Sequence, residues 1–212
     1  GMGLKWMKRK MKGKPAGEKG ARYYAGTHKG ELHELRDQLN SNSSKVRKAA
    51  LMRVVGAMSI GKDMSSLFTA VLKCVHTTHL EQKKLVYLYL VHYGEKQAEL
   101  AVLVVNTLVN DTRSHNALIR ALAIRTMSCI RVDLVLEQLC EALQIALADS
   151  DAYVRKTAVI AVAKLAQLDV EKLDDYGFVL KVQDMLSDPN ATVCANAVAA
   201  LADIETVAPG AL

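Results

Sequence analysis

The chain has 212 residues, half of them apolar but with only two Phe and one Trp, so its core must be built from small aliphatic side chains. Of 28 basic and 22 acidic residues, residues 1 to 21 hold Lys5, Lys8, Arg9, Lys10, Lys12, Lys14 and Lys19 against Glu18, which leaves a neutral remainder of 21 and 21. That balance argues against nucleic acid as a partner, and no apolar run reaches the ~18 residues that suggest a membrane span.

In chain order, residues 1–21 read as a basic flexible N-terminal tail. Leu4, Met7 and Met11 can share one helical face beside Trp6, which suits an anionic membrane surface, with a solvated, disordered start as the plainer alternative. Residues 22–29 read as an extended aromatic segment, residues 30–205 as an α-solenoid and residues 206–212 as a truncated end. Thr206 to Leu212 offer no polar capping helix, so the sequence reads as the N-terminal fragment of a longer trunk. Helices are predicted over 30–39, 44–58, 65–76, 80–92, 96–110, 116–129, 133–148, 152–167, 177–187 and 190–204. Ser43 or Ser44 can cap the second of these, and Asp149 or Asp151 the helix that begins near Tyr153. Asp188 before Pro189 looks like an N-cap with proline at the first helical position.

One phrase recurs through the helices. Val46-Arg47-Lys48-Ala49-Ala50-Leu51 is echoed from Gln82, Ile119, Val154 and, in degenerate form, Val193, so copies start 36, 37, 35 and 39 residues apart. This period implies an all-α, HEAT/armadillo-like right-handed α-solenoid of about five helical pairs. Arg47, Lys83, Arg120 and Arg155 hold one equivalent position at the start of a helix, where a cation opposes the helix dipole. They are expected to reach an acid such as Asp111 or Asp149 in a preceding loop, forming an inter-repeat ladder. A row of anion-binding cations is the alternative. Helix 96–110 is apolar nearly all round, with Ala98, Val102, Val105 and Val109 on one stripe and Leu100, Leu103, Val104 and Leu108 on another. Either it is an inner layer, or it exposes valines for a partner.

Catalytic and metal chemistry find little support. Cys74, His76 and His79 lack a fourth ligand, and His33 with Asp37 is not a two-histidine zinc pattern. The four cysteines show no disulfide-like spacing. No active site, cofactor or metal is expected, and the chain reads as a non-enzymatic scaffold.

Lys83 to Leu90, Ile119 to Met127, Tyr153 to Ala158 and Ala195 to Leu201 resemble the beta-adaptins, the large beta subunits of clathrin adaptor complexes, in colinear order from about Arg22 to Ala202. The resemblance implies a role in vesicle-mediated intracellular protein transport, on the cytoplasmic face of Golgi or endosome membranes or at plasma-membrane coated pits. It implies association with a second large chain and with medium and small adaptor subunits. An Arf-family GTPase and anionic membrane lipids are further implied partners, and clathrin would be reached through regions beyond these residues. Arg22, Tyr23 and Tyr24 match the segment that plugs the small subunit's dileucine-cargo pocket, with Tyr24 in place of the usual Phe. Val102 and Val105 match the two apolar positions that receive the GTPase. Lys45, Arg47, Lys48 and Arg53 remain of a phosphoinositide patch thinned by Ser43, Ser44, Val46 and Met52, and the tail cations Lys5, Lys8, Arg9 and Lys10 could substitute for it. A nuclear-transport or other protein-binding solenoid, or a coatomer-type beta subunit, is the alternative.

Overall fold

The computed structural model describes residues 29–94, 96 and 102–210, and every described element is helical. The chain divides into two compact units, residues 1–67 and 68–212.

In the first unit, α1 (Lys29–Leu39) packs on α2 (Ser44–Ser59). Leu35, Leu39, Leu51 and Val54 are buried, and Arg53 ties the two helices by donating to Glu31 at 2.8 Å and Glu34 at 3.5 Å. Ser43 occupies the N-cap position of α2 without a capping side-chain bond. The chain leaves α2 through Gly61, whose φ of +83° suits a residue with no Cβ.

The second unit is a stack of helical pairs. Its elements are α3 (Phe68–Lys73), α4 (Leu80–Tyr93), α5 (Val105–Thr112), α6 (Ala117–Met127), α7 (Asp133–Ala146), α8 (Ala152–Leu168), α9 (Glu171–Asp175), α10 (Phe178–Asp184) and α11 (Ala191–Val207). Helices α4, α6, α8 and α11 pack side by side in that order, and α5 and α7 lie against each other and against this row. Alanines make the close approach possible. Ala121, Ala123, Ala158, Ala161, Ala163, Ala166, Ala197 and Ala200 are all buried along the row, where larger side chains would hold the axes apart. Phe68, Tyr89 and Tyr93 fill the start of the unit, with ring centroids 5.9 and 4.7 Å apart in succession.

Three predicted helices differ from those observed. The stretch 65–76 is a six-residue α-helix flanked by 3-10 turns at Ser65–Leu67 and Cys74–His76. The stretch 96–110 is a 3-10 turn at Val102–Val104 followed by α5, which runs on to Thr112; residues 97–101 lie outside the described residues. Both are rich in β-branched side chains, which favour the α-helix less. The predicted 177–187 helix is preceded by the short α9, and Gly177 at φ +60° turns the chain into α10. Caps explain the sharper starts. Asn116, Asp151 and Asn190 accept from the backbone N–H groups of Leu118, Tyr153 and Thr192. Asn190, not Asp188, is therefore the N-cap of α11, and Pro189 precedes the helix rather than opening it. The expected division into tail, aromatic segment and solenoid has its first 28 residues outside the described residues.

Two local substitutions probe these junctions. Asn190→Ala removes a cap bond and is expected to cost about 1 kcal/mol. Gly177→Ala forces a Cβ into the left-handed region and is expected to cost about 1–2 kcal/mol. Urea denaturation monitored by circular dichroism measures both, and unchanged midpoints would contradict the cap and turn assignments.

Candidate functional site

Each turn that leads into a helix carrying the repeated phrase is built the same way. Two residues before the N-cap stands a side-chain oxygen that accepts from the N-cap's own backbone N–H. Ser41 accepts from Ser43 at 3.2 Å, Thr77 from His79 at 3.2 Å and Ser114 from Asn116 at 3.3 Å. Asp149 accepts from Asp151 and Asp188 from Asn190, both at 2.8 Å. These oxygens stand five residues ahead of each copy of the repeated phrase. The sequence carried that signal as an unremarked Ser/Thr/Asp at constant offset.

The repeated cation closes the turn from the other side. Arg120 Nη1 donates to the carbonyls of Ser114 and His115, and Arg155 Nη1 to those of Asp149 and Ser150, at 2.8 to 3.2 Å. Arg47 does the same with Ser41 and Asn42. The remaining guanidinium nitrogens reach forward. Arg120 Nε and Nη2 meet both carboxylate oxygens of Asp149 at 2.8 Å, and Arg155 meets those of Asp188 at 2.7 and 2.9 Å. Lys83 donates to Asp111, as does the Tyr87 hydroxyl. Asp149 and Asp188 thus lie in the turn that follows their cations and Asp111 in the last turn of α5, where the sequence leads one to expect an acid in a preceding loop. Arg47 has no acid partner among the described residues and stays outside the ladder. Asp149 serves two neighbours at once, its carboxylate holding Arg120 and its carbonyl holding Arg155.

The electrostatics follow from this geometry. The Asp188 carboxyl is held below the usual carboxylate range by its bond to Arg155, against the opposing effect of burial and with help from the Asn190 N–H. Burial pushes Asp149 up, but the Arg120 bond, the Asp151 N–H and the charges of Arg120 and Arg155 bring it net below the ordinary value. Arg120 and Arg155 are raised by their bonds to these acids. Burial, then Asp111, pushes the Tyr87 hydroxyl up. Cys194 stands where the fifth copy would carry its cation, and its Sγ donates to the Asp188 carbonyl at 3.0 Å. The carbonyl contact survives there without the charge.

The other sequence-derived residues are placed as follows. Val102 is 37% exposed and Val105 only 5%, because Val105 faces inward with Val104 and Leu108. The apolar surface at this point is Val102 with Leu103, which is 67% exposed, so the expected Val102/Val105 pair does not form one exposed stripe. Of the thinned basic patch, Lys45 is exposed and Lys48 half-buried, while Arg47 is committed to Ser41 and Asn42 and Arg53 to Glu31 and Glu34. Arg22, Tyr23, Tyr24, Lys5, Lys8, Arg9 and Lys10 lie outside the described residues. No group of His, Cys, Asp and Glu able to hold a metal occurs among the described residues, and no described helix is long and apolar enough to cross a membrane.

These features define an all-α repeat solenoid. A designed armadillo repeat protein in complex with peptide (KR)4 superposes with a TM-score of 0.63 at 19% identity, covering 88% of this chain and 90% of that one. Residues 27–210 match the family described as the adaptin N terminal region. The AP-1 complex subunit beta-1 of Mus musculus is 49% identical over 184 residues, 87% of this chain and 20% of that protein. The AP-1 complex subunit beta-1 of Saccharomyces cerevisiae is 50% identical over 179 residues, 84% of this chain and 25% of that protein. The chain belongs to the adaptin family, in the N-terminal trunk region of the beta-adaptins. It spans about a quarter or less of the length of these relatives.

The depressed carboxyls have a pH signature. A group whose folded value is lowered contributes stability that is present above its unfolded value of about 3.9 and is lost as pH falls through the folded value. Urea midpoints should therefore hold from pH 7 to about 4 and fall below it. Asp188→Asn should start lower and lose less over the acid range. Parallel acid profiles for the two chains would contradict the ladder's electrostatic contribution.

Proposed function

We propose that the chain is a non-enzymatic scaffold segment of the beta subunit of a clathrin adaptor complex, acting in vesicle-mediated intracellular protein transport. The observation that carries this is the match of residues 27–210 to the adaptin N terminal region. Stacked helical pairs suit such a role, because they give broad surfaces and need no reactive group. The surfaces would associate with the second large chain and the medium and small subunits, peripherally on the cytoplasmic face of Golgi, endosomal or plasma membranes.

In this account the Arg22-Tyr23-Tyr24 segment occludes the small subunit's dileucine pocket in a closed adaptor and leaves it in an open one. Membrane docking shifts the population between the two. Lys45 and Lys48, with Lys5, Lys8, Arg9 and Lys10 of the tail, supply the attraction to anionic lipid, while Arg47 and Arg53 contribute mainly to the fold. A GTP-loaded Arf-family GTPase docks its apolar switch surface on Val102, with Leu103 rather than Val105 as the second anchor.

A pull-down of the chain on an Arf-family GTPase locked with GTP or GDP tests this. Binding to the GTP form alone, reduced at least about tenfold by Val102→Asp/Leu103→Asp, is the expected result. Because both side chains are exposed, the double variant should keep its helical content and urea midpoint. No binding to either form, or equal binding by the variant, would overturn the GTPase assignment.

A further inference from the structure

Two adjoining hollows, of about 490 and 250 Å³, run over the exposed side of α4, α6 and α8 and share Arg125, Tyr153 and Lys164. Their lining holds four cations, Lys84, Arg125, Lys156 and Lys164, and no carboxylate. This sets them apart from the ladder. Each of Lys83, Arg120 and Arg155 faces an aspartate, whereas none of these four pairs with a carboxylate among the described residues. Lys156 lies over the Tyr153 ring at 4.9 Å, and Lys164 reaches only the Cys129 thiol at 3.2 Å. The groove is therefore electropositive, although residues 22–212 carry as many acids as bases in total.

Between the cations the walls are apolar. Leu88 is 50%, Leu118 47% and Tyr153 44% exposed, three large side chains from three successive row helices. Neighbouring helix axes stand about 8–10 Å apart, so the three helices span about 20 Å, the length of some six extended residues. Charge and apolar contact alternating over that length match an extended peptide, whose successive side chains alternate in direction.

We propose that this groove binds an extended acidic segment of a partner protein. Carboxylates would meet Arg125, Lys156 and Lys164, and aliphatic or aromatic side chains would rest on Leu88, Leu118 and Tyr153. Arg125, which lines both hollows, is the central anchor. The proposal uses a surface distinct from Val102 and Leu103 and stands whether or not a GTPase docks there.

Fluorescence anisotropy of a labelled nine-residue peptide of alternating Glu and Leu, titrated with the whole chain, tests it. The same peptide with every Glu replaced by Gln is the uncharged control. Saturable binding of the acidic peptide is expected, weakened at least about tenfold by Arg125→Glu/Lys164→Glu and again by Lys84→Glu/Lys156→Glu. Lys12→Glu/Lys14→Glu, which makes the same charge change in the tail, should alter binding less than about twofold. Equal loss in the tail variant would assign binding to net charge and overturn the proposal. So would equal binding of the Gln peptide. Groove-dependent capture of phosphatidylserine vesicles without peptide binding would overturn it in favour of a lipid surface.

Discussion

A cation in the first turn of a helix stands at the positive end of that helix's dipole, and the stack of helical pairs is organised around meeting that charge. Arg120 and Arg155 meet it in two directions. Part of each guanidinium bridges the carbonyls of the turn behind it, and the rest closes on an aspartate of the next turn. A planar fork with five donors can do both, and an ammonium cannot match that geometry. Lys83 accordingly departs from the pattern, reaching the Val75 carbonyl and sharing Asp111 with Tyr87. Because Asp149 belongs to two repeats, the ladder from Lys83 to Asp188 ties successive pairs of the second unit to one another.

That arrangement has consequences for what the surface can do. The cations of the repeat are committed within the fold, so the ladder position is poorly suited to recognise a lipid headgroup or another anion. On the open side of α4, α6 and α8, Lys84, Arg125, Lys156 and Lys164 have no carboxylate partner among the described residues and stand with the exposed side chains of Leu88, Leu118 and Tyr153. Structural and recognition charges are thus separated by a few residues on the same helices. Cys194, which keeps the carbonyl contact but carries no charge, ends the ladder at the Arg155–Asp188 pair.

Much of the architecture was legible in the sequence, because the 3.6-residue periodicity and the 35–39-residue spacing survive any detail of packing. Helices α2, α4 and α8 begin where their patterns predict, and the recurrence of a basic residue pointed to the ladder position. The partner acids were harder to read. Asp111 and Asp149 were named, but a sequence does not say whether a long side chain reaches back or forward along a stack. Asp188 looks like a cap because Pro189 follows it, yet the acceptor pattern of Ser41, Thr77, Ser114 and Asp149 moves the cap to Asn190. Val105 illustrates the other limit. In a helix apolar on every side, the pattern cannot choose which valine faces the core.

The most direct test of this account is a double-mutant cycle on Arg155 and Asp188, using Arg155→Met, Asp188→Leu and both together, with stability read from urea unfolding at neutral pH. Each single change should cost about 1–3 kcal/mol by leaving a part-buried charge without its partner, and the double change should cost well below their sum. A coupling above about 1 kcal/mol is the predicted result. Additivity within about 0.5 kcal/mol would show that the two side chains do not stabilise the stack through each other, and would contradict the ladder as the element that fixes repeat on repeat.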